Sequence, residues 1–258
     1  MLRALGAVTA VAATAGISLI RRPAPAPVAT TLQVNQPSTT AATVPTTVTV
    51  ASSPPTTAPS TTVVPAVRLD VICRAAWGAR EPSPGMQSHT IDRMTLHHTA
   101  VRLDDNRESP NRIRGHQSFH QSEGFSDLAY HFLVDRSGNV FEGRPWQYAG
   151  ETFTEYDPDG HFLVCCEGDY GSQKPGAQQL KSVSSLFAWA AREFGIDPSE
   201  IGGHRDYAAT SCPGDHLYER LSEIRSEAAL LARTGIELAS LCGDQGTTVV
   251  SAIESGEA

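Results

Sequence analysis

The chain has 258 residues, a formal net charge of −8 and five cysteines. This length is enough for one ordinary domain with extensions at its ends. The acidic balance is spread along the chain and excludes a basic surface of the kind that binds nucleic acid.

The first part of the chain has the features of an export segment. Residues 5–20 form an apolar run rich in Ala, Val and Gly, which is short for a membrane-spanning helix and typical of a signal-peptide core. Arg21 and Arg22 favour an uncleaved anchor, whereas the small residues at 24–29 are compatible with a cleavage site. The sequence therefore predicts export through residues 1–29 and leaves the two alternatives open.

Residues 30–67 consist mainly of Thr, Pro, Ala, Ser and Val, with almost no charge and no aromatic residue. Such a composition buries too little apolar surface to offset the loss of chain entropy, and its prolines favour extended segments. We expect a disordered linker between the export segment and a folded domain.

Strand and helix patterns alternate from residue 68 onward. Four strands are predicted at residues 94–97, 128–135, 140–142 and 162–166. A turn at Ser137–Asn139 makes the middle two a hairpin, and the last, continuously apolar strand is expected to be buried.

Three helices are predicted among and after these strands. The first begins at Ser109–Pro110, with Ser as its cap, and stops near Gly124. One side of it is expected to carry Ile113, His116, Phe119 and His120. The second covers Leu180 to Phe194, and the last covers Leu217 to Leu231 and ends at Gly235. Strands interleaved with helices predict an α/β fold, a single domain at residues 68–242 with a central mixed β-sheet flanked by helices, followed by a flexible C-terminal tail at 243–258.

Three side chains from distant parts of this domain form a candidate zinc site. His204 and Cys212 lie eight positions apart on a predicted loop, and His97 ends a predicted strand. Two imidazole nitrogens and one thiolate suit zinc, and three protein ligands leave a fourth position open, as in catalytic sites. Any one of these residues alone is better interpreted as an ordinary buried side chain, but their combination favours a metal site.

The neighbouring His98 competes with His97 for the ligand role. Side chains of consecutive strand residues point to opposite faces, so only one of the two histidines can face a metal ion. The strand pattern alone leaves this choice open.

Five segments of the chain resemble zinc amidases of type 2, the N-acetylmuramoyl-L-alanine amidases, together with peptidoglycan recognition proteins and amidase-type phage lysozymes. The matching segments, which follow the family order between about residues 70 and 235, are Arg74–Ala79, Leu96–Ala100, Phe125–Val134, Gly138–Arg144 and Gly203–Gly214. The resemblance favours His97 over His98 as a ligand. It implies hydrolysis of the amide bond between N-acetylmuramic acid and L-alanine of the stem peptide in peptidoglycan.

The resemblance also implies two catalytic side chains. Tyr130 matches the catalytic tyrosine of the family, where a phenol orients water or stabilises the oxyanion; from spacing alone it is a core tyrosine. Thr210 matches a position held by Lys or Thr, from which a hydrogen bond reaches the same oxyanion.

The chain departs from the family pattern at two places. Some relatives carry a glutamate as general base where this chain has Cys165, and the nearest carboxylate, Glu167, is expected only to hold a turn. Many relatives carry Gly-Ala-His and then Asn after the hairpin, where this chain has Tyr148–Asp157. The missing histidine puts the substrate contacts on that wall in doubt. Supporting rather than catalytic roles are expected for His120, His131 and Glu142.

If Cys212 is a zinc ligand, the other four cysteines allow three pairings. Cys165 and Cys166 are strand neighbours that point apart, so a bridge between them is not expected. Cys73 and Cys242 flank the domain, whose ends often lie close together. The sequence predicts a Cys73–Cys242 disulfide, with both thiols free as the alternative.

Two other functions are compatible with this resemblance. One is a peptidoglycan-binding module without catalysis, which the complete set of three ligands disfavours. The other is a zinc amidase acting on other muropeptides, which the export segment disfavours because it directs the protein to intact wall. The sequence therefore predicts a monomeric Zn²⁺ amidase, secreted or held in the cell envelope, with a possible membrane anchor at residues 5–20.

Overall fold

A seven-stranded mixed sheet forms the centre of the domain in the computed structural model, which describes residues 67–257. The strands are β1 (Val67–Ile72), β2 (Arg93–His98), β3 (Phe132–Val134), β4 (Val140–Glu142), β5 (His161–Cys166), β6 (Gly202–Gly203) and β7 (Ile236–Leu241). Their spatial order is β6-β2-β5-β3-β4-β1-β7. Within this sheet β3 and β4 form an antiparallel hairpin, and the other neighbours are parallel.

Helices cover both faces of the sheet. They are α1 (Arg74–Trp77), α2 (Ser109–Ser122), α3 (Ala177–Phe194), α4 (Asp215–Tyr218), α5 (Leu221–Thr234) and α6 (Gly243–Ser255). One apolar cluster joins Leu96 of β2 and Val164 of β5 to α3 and α5. A second joins Cys165 of β5 to α1, α2 and α6. Because strand side chains alternate between faces, His97 lies on the second side of the sheet.

The mixed sheet, the hairpin and the helix that ends at Gly195 confirm the predicted fold class. The first strand of the hairpin is shorter than the predicted 128–135 and begins at Phe132. The carbonyl of Leu128 accepts a hydrogen bond of 2.7 Å from the buried Arg144 side chain. An arginine therefore takes the place of a strand partner at this position.

Helix α2 follows the predicted bounds but differs in its details. Ser109 donates its hydroxyl to Asp135 instead of capping the helix. Of the residues expected on one side of the helix, Ile113 and His120 are buried and Phe119 is 53% exposed. The buried side also includes Gln117, whose amide donates to the buried Asp127 carboxylate at 2.7 Å. A polar pair therefore forms part of the contact between α2 and the segment before β3.

The prediction of a flexible tail after residue 242 is wrong for residues 243–255, which form helix α6. Its buried positions Gly246, Val250 and Ile253 follow helical spacing, and Val250 and Ile253 pack in the apolar cluster with α1. A side chain on Gly246 would overlap the carbonyl of Leu241, so the glycine permits this close approach. The predicted last helix is also divided into α4 and α5, and β7 follows it.

The predictions for the export segment and most of the linker, up to residue 66, lie outside the residues that the structure describes. Between residues 67 and 257, none of the helices combines the length and the apolar character needed to cross a membrane.

A disulfide between Cys73 and Cys242 confirms the predicted pairing and joins the start of α1 to the start of α6. The bridge closes a loop of 169 residues. We expect Cys73→Ser to lower the free energy of unfolding by about 2–5 kcal/mol. Thermal unfolding with and without reductant measures this. The double variant with Cys242→Ser should lose no more than either single one, and additive losses would contradict a shared bridge.

Candidate metal centre

The three predicted ligands converge at one end of the sheet. His97 is in β2, His204 follows β6, and Cys212 lies on the loop before α4. Since β6 pairs with β2, with Gly203 opposite Leu96, the chain delivers His204 next to His97. One ligand atom from each of the three buried residues lies within 4.8 Å of the other two.

The distances are compatible with one tetrahedral ion. The Cys212 sulfur is 3.7 Å from His97 Nδ1, and the two imidazole centroids are 4.6 Å apart. Zinc bonds of about 2.0–2.3 Å place neighbouring ligand atoms roughly 3.3–3.6 Å apart. Only small side-chain adjustments are therefore needed to close the site around zinc.

The protonation states also fit a zinc site. Burial holds the pKa of His97 well below its ordinary value, with a further lowering from His204, and burial lowers the pKa of His204 to about 4. Both imidazoles are therefore neutral at pH 7 and have a nitrogen lone pair available for a metal. Burial raises the pKa of the Cys212 thiol to about 12, partly opposed by a hydrogen bond from the His98 amide. Metal binding at this site must therefore release the thiol proton.

His98 points to the other side of the strand. Its Nδ1 accepts a hydrogen bond of 3.1 Å from the Tyr170 amide, and its ring lies 6.2 Å from the Tyr170 ring. The structure thus places His97, and not His98, with the other two ligand residues.

This arrangement predicts opposite outcomes for the two histidines. We expect His97→Ala to lose bound zinc and activity, and His98→Gln to keep zinc at wild-type stoichiometry because its side chain faces away from the site. Metal analysis of the purified variants measures this. Loss of zinc in His98→Gln with retention in His97→Ala would mean that the strand phase is shifted by one residue.

A cavity of about 100 Å³ lies beside His97 and His204. Its other walls are formed by His120, Phe125, Ala129, Tyr130 and residues 151–154 and 156. Five of these residues, namely Phe125, Glu151, Thr152, Thr154 and Tyr156, also line a larger cleft of about 720 Å³. The small cavity therefore shares part of its lining with a neighbouring cleft that has the volume for a peptide.

Tyr130 lines the small cavity next to His97. Its ring centroid is 5.1 Å from that of His97, and burial raises its pKa well above the ordinary value. The phenol therefore keeps its proton at neutral pH and can donate a hydrogen bond into the cavity.

Thr210 is further from the cavity than Tyr130. Its hydroxyl accepts a hydrogen bond of 3.2 Å from the Cys212 amide, and the cavity walls consist of other residues. The structure therefore shows Thr210 supporting the loop that carries Cys212, with its hydroxyl proton still available to donate.

The position where some relatives carry a general base is Cys165 in this chain, and neither it nor Glu167, the nearest carboxylate, has surroundings that suit a base. Cys165 is buried, and burial, followed by the charge of Glu167, raises the pKa of its thiol well above the ordinary value. Glu167 is buried at the end of β5, with one carboxylate oxygen 2.9 Å from His116 Nε2 and the other 3.8 Å from Arg112 Nε, both on α2. Glu167 thus joins α2 to the sheet.

The residues expected to have supporting roles hold backbone groups. His131 Nδ1 accepts from the Leu163 amide and its Nε2 faces the Tyr148 carbonyl, each at 3.0 Å. The Glu142 carboxylate accepts from the Arg74 amide at 3.1 Å. His120 also accepts a backbone hydrogen bond, and it lines the cavity.

Sequence reasoning missed two residues of the site, Thr154 and Tyr156. The Thr154 hydroxyl is 2.9 Å from His204 Nε2, and the Tyr156 hydroxyl is 3.5 Å from His97 Nε2. Both lie in the segment noted only for its missing histidine. The sequence offered one indication of their role, namely two hydroxyl side chains two positions apart in that segment.

Comparisons with known proteins agree with this geometry. A family model described as N-acetylmuramoyl-L-alanine amidase matches residues 87–215. Peptidoglycan-recognition protein SD of Drosophila simulans is 28% identical over 158 residues, which cover 59% of this chain and 84% of that protein. A crystal structure of Drosophila peptidoglycan-recognition protein SD superposes with a TM-score of 0.55 at 27% identity, covering 59% of this chain and 93% of that one.

A human relative, an N-acetylmuramoyl-L-alanine amidase, is 31% identical over 157 residues, which are 57% of this chain but 27% of that protein. The similarity to this relative is thus confined to about a quarter of its length. The family model spans half of the present chain and includes all three converging side chains. The protein belongs to the N-acetylmuramoyl-L-alanine amidase family.

Proposed function

We propose that the protein is a zinc-dependent peptidoglycan hydrolase that cleaves the amide bond between N-acetylmuramic acid and L-alanine of the stem peptide. One observation carries this proposal. His97, His204 and Cys212 converge on a point beside a cavity, in a chain of the amidase family. The complete ligand set favours catalysis over a module that only binds peptidoglycan.

Zinc held by these residues would lower the pKa of water to about 7 and polarise the scissile carbonyl. The chain contributes the surroundings for that chemistry. Burial keeps both imidazoles neutral, so no protonated ligand repels the ion. The cavity beside the ligands has a volume of about 100 Å³, so it holds few water molecules.

Tyr130 supplies the hydrogen bond to the developing oxyanion in this proposal. Its protonated hydroxyl borders the cavity next to His97, and donors of this type act mainly in the transition state. Thr210 contributes less, because it is not among the residues that line the cavity.

A carboxylate lies in the cavity wall at Glu151. It pairs with the buried Arg144 and accepts a hydrogen bond of 2.8 Å from the Ser126 amide. These contacts fix Glu151 and the segment that follows it. We assign it to holding the wall between the small cavity and the larger cleft.

The larger cleft is the proposed position of the stem peptide. It adjoins the small cavity and has a volume of about 720 Å³. We further propose that the protein is exported, that the segment before residue 67 links the domain to the cell surface, and that the domain acts as a monomer. The catalytic domain in this proposal extends through α6, to residue 255.

Digestion of purified peptidoglycan tests the function. The zinc-loaded protein should release new amino termini of alanine without new reducing sugar ends. A chelator should stop the reaction, and added zinc should restore it. Binding to peptidoglycan without release of alanine termini would support a recognition module instead. Cleavage of soluble muropeptides alone would restrict the substrate to wall fragments.

A further inference from the structure

The segment from Thr152 to Asp157 covers one side of the proposed metal site. Its side chains alternate in exposure, with Thr152, Thr154 and Tyr156 half-buried and the residues between them exposed. The three half-buried residues line the cavity that His97 and His204 also line. Phe153 lines this cavity as well, and residues 153–156 form a series of bends, so the segment curves along the cavity.

Two of these side chains reach the outer nitrogens of the histidine ligands. The Thr154 hydroxyl is 2.9 Å from His204 Nε2, and the Tyr156 hydroxyl is 3.5 Å from His97 Nε2. The Tyr156 ring also lies 4.7 Å from the His204 ring, between centroids. One short segment therefore contacts both imidazoles.

These contacts decide which ring nitrogen is free for a metal. A neutral imidazole has one N–H donor and one lone pair. If Nε2 carries the proton and donates to a hydroxyl, the lone pair is on Nδ1. In His97 this is the nitrogen that lies 3.7 Å from the Cys212 sulfur. In His204 the lone pair is also on Nδ1, because Thr154 contacts Nε2.

Thr152 completes a consistent order of donors and acceptors. Its hydroxyl oxygen lies 2.8 Å from the Thr154 hydroxyl and accepts the Thr154 amide at 3.1 Å. Thr154 can therefore accept the proton of His204 Nε2 and donate its own to Thr152. In this series of hydrogen bonds each donated proton meets a lone pair, and no two lone pairs face each other.

We propose that Thr154 and Tyr156 are positioning residues, whose hydroxyls hold His204 and His97 in the tautomer and ring orientation that a metal requires. The inference rests on the proposed zinc site and adds two residues to it. Groups that hydrogen-bond to metal-bound histidines typically change metal affinity 10–100-fold when they are removed. We expect metal affinity to fall more on removal of the Thr154 hydroxyl than of the Tyr156 hydroxyl, because the Thr154 contact with its histidine is shorter.

Zinc affinity of the full-length protein, measured by competition with a chelator of known affinity, tests the proposal without relying on activity. Thr154→Val keeps the side-chain shape and removes the hydroxyl, so we expect zinc affinity to fall about 10–100-fold. Thr154→Ser keeps the hydroxyl and should restore most of the affinity. Thr248→Val, at an exposed position of α6 that does not line the cavity, is the matched control and should bind zinc like wild type.

Tyr156→Phe should weaken zinc binding in the same direction by a smaller factor. Nitrogen-15 NMR of the metal-free protein gives a second measurement, in which His204 should be protonated at Nε2, and Thr154→Val should shift it toward a tautomer mixture. Unchanged zinc affinity in Thr154→Val, or a wild-type His204 protonated at Nδ1, would overturn the proposal. If the wild-type protein binds no zinc at this site, the proposed function fails first, and the two failures are thus distinguishable.

Discussion

Replacement of His204 by alanine should remove most of the bound zinc and reduce amide hydrolysis to the background rate. The remaining pair, His97 and Cys212, provides two ligand atoms, whereas catalytic zinc sites have three protein ligands. Without the metal the Cys212 thiol stays buried. Burial raises its pKa to about 12, so the thiol keeps its proton at neutral pH. Metal analysis and peptidoglycan turnover of the purified variant measure both effects.

A histidine on the adjoining helix provides the control. His216 lies in α4 and is not among the three converging ligand residues. His216→Ala should keep one zinc per chain and hydrolyse peptidoglycan at a rate close to wild type. Full zinc stoichiometry in both His97→Ala and His204→Ala would show that the ion binds elsewhere.

The second large effect is expected from Tyr130→Phe. The substitution removes one hydroxyl from a half-buried ring, so the fold and the zinc content should be unchanged. If the hydroxyl binds the developing oxyanion, kcat should fall by about two to three orders of magnitude. KM should change little, because the contact strengthens only in the transition state. Turnover of zinc-loaded variants on purified peptidoglycan gives both constants.

Two further variants serve as a control and a comparison for Tyr130→Phe. Tyr148→Phe changes a tyrosine that does not line the small cavity and should leave turnover unchanged. Thr210→Val should lower kcat less than Tyr130→Phe, because Tyr130 lines the cavity and Thr210 does not. Near-wild-type turnover in Tyr130→Phe would return Tyr130 to the role of a core residue.

The metal ligands could be predicted from the sequence because each depends on a short local pattern. His97 ends a predicted apolar strand, and His204 and Cys212 share one loop, so local patterns identified the candidates but did not decide between His97 and His98. The resemblance then separated His97 from His98. In the structure His98 binds the Tyr170 amide on the other side of the strand, a contact that no local pattern indicates.

The parts that could not be predicted depend on contacts between distant residues. Helix α6 has a polar sequence, and its order comes from Val250 and Ile253 packing near α1. The late start of β3 follows from the Arg144 side chain bound to the Leu128 carbonyl. Thr154 and Tyr156 join the site because their segment brings their hydroxyls to His204 and His97, which lie on other parts of the chain.

The central claim is the identity of the bond that is cut, and mass spectrometry of the products tests it most directly. Purified peptidoglycan digested by the zinc-loaded protein should yield stem peptides that begin with free L-alanine, together with glycan strands whose N-acetylmuramic acid carries an unsubstituted lactyl group. The chelated protein and His204→Ala should yield neither product. Soluble fragments in which muramic acid remains joined to L-alanine, with the cut inside the peptide or the glycan, would contradict the assignment.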